Sequence, residues 1–140
     1  MVLASACALL TAAEIARVQG EPPAQAKDSA SESADLSVER CFYSLPTFAR
    51  SISLEITRGK GTRAFWKRAF HEEHEDRELP PPEKVRGLGE EAFWTGDPRL
   101  GGLYVLQNGS IVRLSIGGNQ NKADKLRKLK QLARPILKRL

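Results

Sequence analysis

The chain is poor in the residues that carry most protein chemistry: two cysteines, two histidines, one methionine and 6% aromatics in 140 residues. No run approaches the ~18 consecutive apolar residues of a membrane-spanning helix, so no transmembrane segment is expected. There is no nucleophile elbow and no separate histidine to activate a serine, which removes the usual hydrolase signatures. A phosphate-cradling glycine loop is also missing; Gly117-Gly118 lies between a strand and a helix, but two glycines alone read as a turn. The carboxylates between Glu72 and Asp76 are neighbours, whereas a glycosidase pair must face across a cleft. The expectation is a non-enzymatic protein with no cofactor.

Two cysteines allow one intramolecular pairing, Cys7 with Cys41. A disulfide suits a small domain in an oxidising compartment; two free buried thiols in a cytosolic protein are the alternative, and spacing does not separate them. Closing a loop of this length would stabilise the domain by about 3–4 kcal/mol on the chain-entropy model. Ala4-Ser5-Ala6-Cys7 loosely resembles a lipoprotein cleavage box, yet Met1-Val2-Leu3 lacks the basic side chain of a signal peptide. The start therefore reads as the edge of the domain, with any export signal upstream of this chain.

What is present patterns into one α+β domain spanning 1–140. Thr11 and Glu14 form a capping box, Leu10 and Ile15 a hydrophobic staple, and Gly20 a left-handed end, giving a helix over 12–19. Residues 21–37 are rich in Pro, Ala and Ser, show no apolar period and read as a flexible loop. Strands are expected at 38–44 and 51–57, the latter alternating Ile52, Leu54 and Ile56 against Ser51, Ser53 and Glu55. A helix over 62–76 carries the stripe Phe65, Trp66, Ala69 and Phe70, though its charges oppose the helix dipole. Strands at 91–95, 103–107 and 110–116 follow, the last two joined by Asn108-Gly109, the favoured type I′ pair. A final helix, capped by Asn121, buries Leu126, Leu129, Ala133, Ile136, Leu137 and Leu140, with Pro135 expected to kink it. The order αββαβββα predicts an antiparallel sheet of about five strands with helices packed on it.

The opening Cys7-Ala8-Leu9-Leu10-Thr11-Ala12-Ala13-Glu14-Ile15, then Cys41-Phe42-Tyr43 and Gly87-Leu88-Gly89-Glu90-Glu91-Ala92-Phe93, resembles small secreted or lipid-anchored bacterial domains of unknown function. Their pattern runs C-x-L-L-T-x-x-E, a C-x-Y strand, a GLG-x-E-A-F centre, a hairpin like Leu103 onward and a closing helix ending in Leu140. The resemblance implies an extracytoplasmic protein with its two cysteines paired, and brings no activity. Where the pattern closes the first helix with Leu-Gly, this chain has Gln19-Gly20.

Three groups of residues could bind something. His71 and His74, three apart beside Glu72, Glu73, Glu75 and Asp76, have metal-ligand types, but the spacing is one short of the zinc-protease motif and suits a solvated helix end equally. The last 19 residues hold eight of the 22 basic residues and one acid, Asp124. Among them Lys125, Arg127, Lys128, Arg134 and Lys138 are candidates for an anionic cell-envelope surface, or simply a solubilising face. Nucleic-acid binding would add exposed aromatics or a reading module, which the pattern does not show. Trp66, Phe70, Phe93 and Trp94 could line a small-ligand pocket or fill the core. The leading expectation is an extracytoplasmic domain that binds or senses at the cell envelope. The second is a secreted module taking a small ligand or metal at His71/His74.

Overall fold

The computed structural model describes residues 5–72, 81–96, 101–118 and 120–140. A 3₁₀ turn, Ala6–Leu9, leads into helix α1, Ala12–Gln19. Both ends of α1 close as their residues require. Thr11 Oγ1 accepts the Glu14 N–H at 3.1 Å, and Glu14 Oε1 accepts the Thr11 N–H at 2.9 Å. Gly20 sits at φ 84° and donates its N–H to the Ala16 carbonyl at 2.8 Å.

Seven strands follow among the described residues: β1 Gln25–Glu32, β2 Ser37–Ser44, β3 Ile52–Arg58, β4 Glu83–Val85, β5 Glu91–Thr95, β6 Gly102–Gln107 and β7 Ser110–Ile116. They form a single antiparallel sheet in the order β1-β2-β3-β7-β6-β5-β4. Helix α2, Thr62–Phe70, lies between β3 and β4, and α3, Lys122–Arg139, comes last. The α+β class stands, but the order is αβββαββββα, with two strands more than the pattern suggests.

Both additional strands are edges. β1 lies inside the 21–37 segment expected to be a loop, and every one of its residues is exposed. Gln-Ala-Lys-Asp-Ser-Ala-Ser-Glu has no apolar alternation because neither of its faces needs one; the ladder offered by β2 sets its conformation. β4 is three residues long, too short for any period to register. Helix α2 ends at Phe70, with the His71 N–H on the Lys67 carbonyl at 2.8 Å; His71 and Glu72 are not helical, and the rest of the expected helix, 73–76, lies outside the described residues.

Alternation places two different surfaces on the sheet. One carries Tyr43, Ile52, Leu54, Ile56, Val105, Val112 and Leu114 and packs against Ile15 of α1 and Leu129, Leu132, Ala133 and Ile136 of α3. The hairpin sets the register: Asn108 and Gly109 both take positive φ, and Val105 pairs with Val112 and Leu103 with Leu114. The other surface carries Phe93, Leu106 and Ile111, covered by Trp66 and Phe70 of α2. Helix α3 stays helical on both sides of Pro135, and Asn121 caps it by accepting the Asp124 N–H at 2.8 Å.

Candidate functional site

Cys7 and Cys41 are disulfide-bonded, with their Cα atoms 5.0 Å apart. The bond ties the 3₁₀ turn before α1 to the centre of β2, spanning β1. Tyr43, two residues along β2, reinforces it by donating its hydroxyl to the Cys7 carbonyl at 3.0 Å. Burial pushes that hydroxyl's pKa up to about 12, so it remains a donor at any ordinary pH. No thiol is free in this region, and the contacts are structural.

On α3 the basic residues divide by direction. Leu129, Leu132, Ala133 and Ile136 face the sheet, and Arg127, Arg134 and Lys138 are exposed on the outer side. With half-buried Lys130 they follow a three-four-four spacing, which stacks them into one ridge along the helix. Lys125 and Lys128 are half-buried on the flanks, and Lys125 reaches the cavity at the strand ends. Arg127 pairs with Asp124 at 3.3 Å, Lys122 with Glu83 and Arg139 with Glu14. Lys130, Arg134 and Lys138 meet no carboxylate among the described residues.

Of the two histidines, His74 lies outside the described residues. His71 has a different partner, its Nε2 standing 2.5 Å from Glu91 Oε1. The same oxygen accepts the Trp66 indole N–H at 2.6 Å. Burial raises the Glu91 pKa, but the hydrogen bonds from Trp66 and His71 outweigh it and hold the carboxyl below its usual range. This arrangement fastens the end of α2 to β5. It engages Nε2, one of the two ring nitrogens through which an imidazole can bind a metal.

The four aromatics also separate. Trp66, Phe70 and Phe93 form one cluster, with Phe70 and Phe93 stacked at 4.8 Å between ring centres. Trp94 points to the opposite surface and joins the main core. Neighbours in a strand face opposite ways, so a shared pocket for Phe93 and Trp94 is ruled out by the pleat.

Beyond the cover of α2, the same sheet surface is open toward β1, β2 and β3. Two connected cavities of about 560 Å³ and 390 Å³ meet there at Phe42, Ser53 and Arg113. Strand pairing aligns Phe42 with Ser53 and Ser53 with Ser115; one row along, Arg40 faces Glu55 and Glu55 faces Arg113. Sequence patterning missed this site. Ser53 and Glu55 are the polar half of the alternation in β3, and Arg113 and Ser115 alternate with Val112 and Leu114 in β7, but strand alternation does not show which helix covers which half.

No protein-family model, curated protein or solved structure matches the chain. Its function is therefore argued from its own residues.

Proposed function

We propose that the chain is a non-catalytic extracytoplasmic domain that docks on anionic cell-envelope surfaces through the outer ridge of α3. The observation carrying this reading is the row Arg127, Lys130, Arg134 and Lys138, set opposite the core stripe of the same helix, with three of the four unpaired among the described residues. Such a row concentrates positive potential on one rigid element, where it attracts anionic head groups or polymers. The extracytoplasmic placement is supported by the Cys7–Cys41 disulfide and by the resemblance of the motifs to secreted bacterial domains. No helix among the described residues is long and apolar enough to cross a membrane.

Co-sedimentation with phosphatidylglycerol vesicles at rising salt tests the reading. Binding at low ionic strength that weakens with salt, and is lost in an Arg134→Glu/Lys138→Glu variant, is the expected result. Absence of binding at low ionic strength, or equal binding by the variant, sinks it.

A further inference from the structure

The open half of the sheet, whose larger cavity reaches round the strand ends to Lys125 and Leu129 of α3, has the chemistry of a second site, distinct from the outer ridge of that helix. Its charges are unbalanced: Lys27, Arg40 and Arg113 line it against one carboxylate, Glu55, which already accepts from Arg40 at 3.2 Å. Arg113 donates its Nε–H to the Tyr104 hydroxyl at 3.0 Å and lies 5.8 Å from that ring's centre. One edge of the guanidinium is thereby held, and its two terminal nitrogens meet no partner among the described residues. A held guanidinium with a free fork is the geometry that takes a carboxylate through two hydrogen bonds. Ser53 and Ser115, paired across β3 and β7 on the same floor, have hydroxyls without a partner among the described residues.

Beside these cations stand the two large apolar side chains that the fold leaves most conspicuously uncovered there. Phe42 is 38% exposed and Phe48 71% exposed, with ring centres 6.0 Å apart. Phe48 sits on a short 3₁₀ turn, Phe48–Arg50, that is braced from three sides. Glu21 accepts the Thr47 N–H at 2.7 Å, Gln19 Nε2 donates to the Arg50 carbonyl at 2.8 Å, and Gly117 lies directly against Ala49. An exposed aromatic on a braced turn offers an apolar contact whose ordering cost is already met in the free protein.

We propose that this half-face binds a monomeric anionic amphiphile, a carboxylate on an apolar chain of fatty-acid size. The carboxylate lies on the Arg113 fork beside Ser53 and Ser115, and the chain lies against Phe42 and Phe48. The excess of cations selects an anion, and the same excess opposes a second copy, whose face would set arginine against arginine. The cavities fall within the few hundred cubic ångströms typical of small-molecule sites.

Calorimetric titration of the whole chain with decanoate below its micelle concentration, decan-1-ol and acetate tests this. Decanoate is expected to bind one to one, with the alcohol and acetate each at least about tenfold weaker, since each lacks one half of the recognition. Arg113→Gln should weaken decanoate about tenfold, the loss of one charge-assisted contact. Phe48→Ser, at a position 71% exposed, should weaken it about fivefold through lost apolar contact. Phe65→Ser on α2, also exposed, and the Arg134→Glu/Lys138→Glu variant should bind decanoate as the parent does. No decanoate binding, equal binding of the alcohol, or unchanged affinity in Phe48→Ser would overturn the proposal.

Discussion

Arg139, near the end of α3, grips Glu14 of α1 through two parallel hydrogen bonds, Nη1 to Oε1 at 2.6 Å and Nη2 to Oε2 at 2.9 Å. Nη1 also donates to the Leu9 carbonyl at 2.9 Å. Glu14 Oε1 is at the same time the oxygen that closes the α1 capping box. One carboxylate therefore completes the first helix and ties it to the last, across 125 residues of sequence.

That pairing makes stability dependent on acid. The hydrogen bonds from Arg139 hold the Glu14 carboxyl down at about 2, against an ordinary value of 4.5. A carboxyl depressed in the folded state contributes stability that is fully present above its unfolded pKa and is lost as pH falls through its folded one. The Glu14 contribution should fade between pH 4.5 and about 2. Glu14→Gln retains the cap, because glutamine also serves at that position, and removes the charge. Thermal melts across this range should show a shallower loss for Glu14→Gln than for the parent; equal slopes would place the acid sensitivity elsewhere.

Cys7 and Cys41 supply the second prediction. Denatured, unreduced protein should titrate no thiols with a thiol reagent, and two after reduction. A Cys7→Ala/Cys41→Ala variant should lose about 3–4 kcal/mol of unfolding free energy, measured by urea denaturation. A loss well below that range would mean that the reduced chain keeps the 3₁₀ turn near β2, through Tyr43 and the core.

Local chemistry made much of this fold legible. Thr11, Glu14 and Gly20 satisfy backbone groups within one turn, and Asn108-Gly109 determines its own dihedrals, so these five residues act as their neighbours alone require. Ile52, Leu54 and Ile56 show their burial directly in a period of two. β1 was hidden because an edge strand needs a neighbour's hydrogen bonds rather than apolar residues of its own. The ridge on α3 was visible as charge against hydrophobic period. The open half-face was not, since Arg40, Glu55 and Arg113 are dispersed in sequence and meet only through strand register.

Glu91 carries the attachment of α2. Replacing it with Ala removes the acceptor of the buried Trp66 N–H and of His71 together. An indole N–H left unsatisfied costs about 1–3 kcal/mol, and the variant should be destabilised by that amount in urea melts. Glu91→Gln keeps an acceptor oxygen for Trp66 and should recover part of it. If Ala and Gln were equally destabilised, the charge on the carboxylate rather than the Trp66 bond would be responsible.

Gly117 is where backbone contact positions an exposed aromatic. A Cβ there would stand 2.2 Å from the Ala49 carbonyl oxygen, which belongs to the turn presenting Phe48. The turn cannot yield cheaply, because Glu21 and Gln19 hold its two ends. Gly117→Ala should therefore cost about 1–3 kcal/mol, in the range of overpacked sites, as the turn is pushed off the end of β7. The same displacement should separate Phe48 from Phe42, seen as chemical-shift changes at both rings in an aromatic carbon–proton NMR spectrum. Gly118→Ala makes no contact closer than 3.4 Å and serves as the comparison; its strain arises from a φ of 111° in its own backbone. A Gly117→Ala protein that lost stability but left both rings unshifted would show that the close approach holds the turn without placing Phe48.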